Sequence, residues 1–67
     1  MSVARVTEIT ASSPTSFEAA VQEGIERACK TLDGVRGAWV KEMKVDIEDG
    51  RVTAYRVDMK ITFILRD

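Results

Sequence analysis

Few residues in this chain are of a type that could do chemistry. The segment VRGAWVKEMK, residues 35–44, holds its one tryptophan, Trp39. An indole offers a flat, polarizable face on which a planar ligand can stack, and it serves equally well as bulky core filling. Three carboxylates, Asp46, Glu48 and Asp49, gather around one glycine. They suggest a cation site, but turn carboxylates are ordinarily just solvated, and calcium asks for six or more oxygens. Catalytic sets are missing. The chain has no histidine to act as a general base, and no nucleophile–base pair or metal triad is visible. Cys29 is the only cysteine, so an intrachain disulfide is impossible and a structural zinc site lacks ligands. Cys29 reads as a small buried helix residue. The inventory points to binding and not to an enzyme.

Size and charge narrow the classes further. Ten Lys and Arg stand against eleven Asp and Glu, a net charge of −1, where a nucleic-acid binder would show a basic surplus. No apolar run approaches the ~20 residues that span a bilayer, and MSVARVTEIT lacks the apolar region of a signal peptide. The expectation is a soluble cytoplasmic protein, one domain over residues 1–67, with neither nucleic acid nor membrane as partner. A chain of 67 residues buries only about 60% of the surface its unfolded form exposes. Without disulfide or metal, association with copies of itself is the remaining route to stability.

Four elements must position these residues. SVARVTEIT, residues 2–10, is rich in β-branched types and reads as a strand. Ser13 before Pro14 reads as a helix N-cap followed by proline at the first helical position. Phe17, Ala20, Val21, Ile25, Ala28 and Leu32 then recur at helical spacing, with Gly24 on the same face. Arg27 and Lys30 complement the C-terminal end of the helix dipole. Asp33-Gly34 ends the helix, the glycine being free to turn left-handed. WVKEMKVDI, residues 39–47, and RVTAYRVDMKITFILR, residues 51–66, read as strands joined by a hairpin at Glu48-Asp49-Gly50.

The last strand alternates cleanly. Tyr55, Val57, Met59, Ile61, Phe63 and Leu65 share one face; Arg56, Asp58, Lys60, Thr62 and Arg66 share the other, with Ile64 the exception. In the strand before it, Met43, Val45 and Ile47 share a face, and simple alternation places Lys41 and Trp39 there too. A β-bulge near residues 40–42 would explain that break, as would a partner subunit at that end. The fold expected is α+β, in the order β-α-β-β. It is a three-stranded antiparallel sheet with the last strand central, partly wrapped around one helix. The sheet's second face, charged with Glu42, Arg56, Asp58 and Lys60, stays bare in a monomer and suits a closed assembly with ion pairs between subunits.

ITASSPTSFEAAVQEGIERACKTLDGVRGAWVKEMKVDIEDG followed by TAYRVDMKITFIL closely resembles the dodecins over nearly the whole chain. SPTSFEAA, ERACKTL and the last strand carry it most specifically. The resemblance implies a homododecamer of tetrahedral symmetry that stores and photoprotects flavin without catalysis. In such proteins paired isoalloxazine rings lie between tryptophans of two subunits, and a glutamine on the last strand bonds the ring edge. The implied cofactor is FMN, riboflavin or FAD. Some bacterial members also hold coenzyme A through basic residues around the helix, which gives Arg27 and Lys30 a second reading.

The cofactor-binding residues that the resemblance assigns are Trp39, Arg56 and Lys44, each with a departure. The stacking tryptophan of flavin-binding members falls on Gly37. Trp39 lies two residues on, which returns it to the same face displaced by roughly 6–7 Å. The glutamine falls on Arg56, which donates but cannot accept from the flavin N3–H. A phosphate-contacting arginine falls on Lys44, and a basic position near the end falls on Ile64, with Arg66 two residues beyond. Flavin-free members, one described as calcium-binding, share the SPTS start and an arginine at the Arg56 position but lack a tryptophan near here. The alternative is thus a flavin-free, dodecin-like structural assembly that binds a cation.

Overall fold

The computed structural model describes residues 3–65. The elements follow the expected order: β1 (Ala4–Ser13), α1 (Phe17–Thr31), β2 (Val35–Glu48) and β3 (Arg51–Ile64). The sheet is antiparallel with β3 central, in the order β1-β3-β2. β3 takes that place because its alternation gives it a full apolar face. Val57, Met59 and Ile61 are sealed from solvent there, under the small side of the helix made by Ala20, Gly24 and Ala28. Gly24 has to be small: a Cβ on it would lie 2.7 Å from Met59 Cε and 3.0 Å from Ala11 Cβ. Around this centre pack Ile9, Ala11, Phe17, Val21, Ile25, Leu32, Val35 and Val40. Phe17 meets Tyr55 edge-on, with ring centroids 5.1 Å apart. Cys29, expected to be buried, is exposed instead, because it falls one position past Ala28 and off the face of α1 that meets the sheet.

Several boundaries differ from the sequence reading. The N-cap is Ser16, not Ser13: Ser16 is extended (φ −169°, ψ 166°) and its Oγ accepts from the Ala19 N–H at 3.0 Å. Pro14 disfavours helical geometry in the residue before it, so Ser13 remains in β1. There its buried hydroxyl accepts from the Thr15 N–H. Gly34 is left-handed (φ +73°) as expected, but it sits beyond the C-cap Leu32, where the chain turns into β2. A Cβ there would lie 2.9 Å from the Ile64 carbonyl oxygen, and the Gly34 carbonyl accepts from Ile64 N–H at 3.0 Å.

β2 begins at Val35, ahead of Trp39, because pairing with Phe63, Thr62 and Ile61 holds Val35, Gly37 and Ala38 in the ladder. Ser2 and Arg66, read as strand residues, lie outside the described residues. The hairpin turns through Asp49 (φ 52°) and Gly50 (φ 75°), the paired positive φ of a type I′ turn. Among the described residues no helix is long and apolar enough to cross a membrane.

Candidate functional site

Residues opposite one another in a ladder share a face, so the register of β2 on β3 settles where each candidate residue points. The expected bulge is present: Val40 opposes Met59 and Glu42 opposes Asp58, leaving Lys41 extra. Its consequence corrects the sequence reading. Met43 and Val45 oppose Val57 and Tyr55 on the helix side, while Trp39 opposes Lys60 on the far side. Trp39 therefore does not share a face with Met43. The bulge lets β2 present Val40 to the core and still keep Trp39, Glu42 and Lys44 together on the outer face.

That outer face collects the candidates. Gly37 opposes Thr62 and Trp39 opposes Lys60, so Gly37 and Trp39 do share it, one step apart along the strand. Trp39 is 62% exposed. The Lys60 ammonium lies 5.4 Å from its ring centroid, a cation–π contact typical of an exposed site. Beside the indole the surface is bare, since a Cβ on Gly37 would find nothing within 4 Å. Lys44 stands directly opposite Arg56, and both line a cavity of about 290 Å³ with Thr10, Glu42 and Asp58.

Arg56 is not free. Its Nε donates to Asp46 Oδ2 at 2.8 Å, a charge-assisted bond of good length. Lys41, the bulge residue, reaches across β3 to Glu8 at 3.8 Å. These two pairs are the ion pairs among the described residues, so Lys44 and Lys60 have no carboxylate within 4 Å there. Both pairs tie strands of the sheet together.

Within one chain, Lys44 and Arg56 come together, and so do Trp39 and Lys60. Trp39 and Arg56 do not. Four residues of β3 separate Lys60 from Arg56, about 13 Å at ~3.3 Å per residue. Asp46 is the residue of this face that sequence reasoning weighed only as a cation ligand. Its partner lies ten positions away across the hairpin, and only the register reveals it. Among the described residues, no three His, Cys, Asp or Glu side chains converge to hold a metal.

The sequence matches the family model described as Dodecin over residues 3–66. The chain belongs to the dodecin family. It is 35% identical over 66 residues to the calcium dodecin of Mycobacterium tuberculosis, covering 98% of this chain and 93% of that one. The solved structure of that protein, a calcium-chelating antigen with a calcium-binding site, superposes with a TM-score of 0.82 at 34% identity, over 96% of this chain and 91% of that one. Two other dodecins fit the backbone more closely. The Streptomyces davaonensis dodecin gives a TM-score of 0.93 at 33% identity, covering 98% of this chain and 97% of that one. An arginine-to-alanine variant of the Thermus thermophilus dodecin gives 0.94 at 31% identity, with each chain covered completely. The β-α-β-β topology is that of these dodecin structures.

Proposed function

We propose that this dodecin is a non-catalytic binding protein whose chain, residues 1–67, acts as one domain of a homododecamer and holds flavin at its subunit contacts. Trp39 stacks on the isoalloxazine ring, and Arg56 and Lys44 face its polar edge and phosphate. One observation carries this reading: the chain's largest apolar side chain stands mostly exposed on the outer face, beside the bare surface of Gly37. A core does not need it there, since Val57, Met59 and Ile61 are already sealed under the helix. Riboflavin, FMN and FAD share the ring that Trp39 would meet.

Light scattering should give a particle of about twelve 7.4 kDa chains, near 89 kDa in a closed point-group assembly. Titration of flavin with the purified assembly should quench flavin fluorescence, and Trp39→Ala should weaken binding and restore emission while the particle survives. A protein that leaves flavin emission unchanged would overturn the reading. So would a Trp39→Ala variant that falls apart yet binds flavin as before.

The calcium dodecin among its relatives supports a second reading, a flavin-free assembly that binds a cation. Asp46 is engaged by Arg56, so such a site would gather Glu48, Asp49 or other oxygens from more than one subunit. Calorimetric titration with calcium separates the two readings. Coenzyme A at Arg27 and Lys30 is a further ligand to titrate; Arg27 lines a groove between α1 and β1.

A further inference from the structure

The hairpin of β2 and β3 runs past the rest of the molecule. β1 ends at Ser13, opposite Tyr55, and α1 starts at Phe17, whose ring rests against that of Tyr55. Beyond Tyr55, among the described residues, only the two paired strands continue, to the turn at Asp49-Gly50. A two-stranded ribbon by itself in water is marginal. This one is also apolar on its helix side. Val45 stands opposite Tyr55 and Ile47 opposite Val52. With Met43 they form a strip along the arm, in which Met43 is 56% exposed and Ile47 65%. A contiguous apolar strip left in water marks a contact with another protein.

The same chain carries a surface that matches. Between α1 and β1 lies a groove of about 590 Å³, floored by Ile9, Ala11, Gly24 and Ala28, with Glu23 and Arg27 exposed beside it. From Glu23 to Leu32 it follows α1 for about 14 Å at 1.5 Å per residue. The strip from Met43 to Ile47 is about 13 Å long at ~3.3 Å per residue. Charge agrees as well. The arm's tip carries Glu48, Asp49 and Arg51, against Arg27 and Glu23 at the groove. None of these forms an ion pair among the described residues, although Glu23 and Arg27 have the i, i+4 spacing at which helical pairs form. The arm cannot reach its own groove, because Arg51–Ile64 is one continuous strand and holds the two apart.

We propose that the arm of one chain, residues 43–55, lies in the α1–β1 groove of a second copy, its apolar strip on the groove floor and its acidic tip toward Arg27. The inference rests on the homo-oligomeric part of the reading above and is independent of flavin. Arm and groove are different surfaces, so the contact is head-to-tail. Each copy gives its arm to one neighbour and takes an arm from another, and in a closed particle such contacts run around a ring.

The test is sedimentation velocity over a dilution series, with far-UV circular dichroism to check folding. Ile47→Asp with Val52→Asp sets charge on the strip, where the lone subunit is exposed. It should raise the concentration at which the particle dissociates by about tenfold or more. Arg27→Glu should do the same from the groove side, and Glu48→Arg added to it should recover part of the loss. In the unaltered protein, the arm's amides should exchange slowly in the particle and fast once dilution has dissociated it. Wild-type dilution behaviour with both aspartates in place would overturn the proposal and leave the assembly standing. A loss from the arm variant with no effect of Arg27→Glu would overturn the groove as its seat. Should the arm variant fail to fold, arm amides that exchange equally in particle and subunit would overturn the proposal. A wild-type chain that is monomeric throughout would overturn the assembly itself, and arm docking with it.

Discussion

Along β3, Val57, Met59 and Ile61 point to the helix and are sealed off, while Arg56, Asp58 and Lys60, one position out of step, stay half-buried on the other side. The same run of backbone serves both sets. On the helix side, size is what matters: Ala20, Gly24 and Ala28 bring α1 close, and the methionine and isoleucine beneath fill what remains. On the outer side, volume is unconstrained and charge is organised across strands, Arg56 with Asp46 and Lys41 with Glu8. The first face makes the fold, and the second is available for assembly and ligands.

Three substitutions sharpen that contrast or break it. Met59→Ala removes the centre of the sealed face and should cost about 2–5 kcal/mol, read from denaturant midpoints at fixed protein concentration. Trp39→Ala removes a larger side chain from the outer face. Under conditions that dissociate the assembly, it should change the stability of the subunit by less than about 1 kcal/mol. A loss as large as that of Met59→Ala would show that the outer face is core after all. Gly37→Ala should be smallest, within about 0.5 kcal/mol of wild type in thermal unfolding. Its new methyl group meets open space, in contrast to Gly24, where a Cβ is crowded.

Much of this architecture can be read before the structure is seen, and the misreadings have physical causes. α1 and β3 are legible because α1 follows one period along its length and β3 alternates without a break from Tyr55 to Phe63. β3 is therefore placed at the centre, and the helix on its apolar side. The hairpin is legible from Asp49-Gly50, whose preferred conformations fix the turn. β2 is harder, because Arg36 and Lys41 interrupt its period. A bulge can be suspected from Trp39 and Lys41 falling among apolar positions. The face to which Trp39 is delivered depends on where the extra residue falls.

The Arg56–Asp46 pair was hidden for the same reason. An uninterrupted hairpin from that turn would oppose Met43, not Lys44, to Arg56; the irregularity between Asp46 and Ile47 moves the register by one. Ser13 and Ser16 were interchangeable as caps in composition. The restraint of Pro14 on the residue before it decides between them. Lys44 and Arg56 were linked through the family resemblance, and their opposition across the ladder appears only with the register.

The irregularities of β2 have a consequence for polymer growth. β1 and β2 are the outer strands, and each has one row of amide and carbonyl groups without a strand beyond it. In β2 that row is broken where Arg36 and Lys41 stand as extra residues, and such bulges bend a strand and spoil it as a template for an added chain. β1 pairs with β3 without a break from Ala4 to Ser13 and offers a straight, ten-residue rim. A subunit released from its assembly is thus guarded on one flank and open on the other. Strand-by-strand accretion, the first step toward a fibre, would begin along β1, and an assembly that masks this rim keeps its subunits out of that reaction.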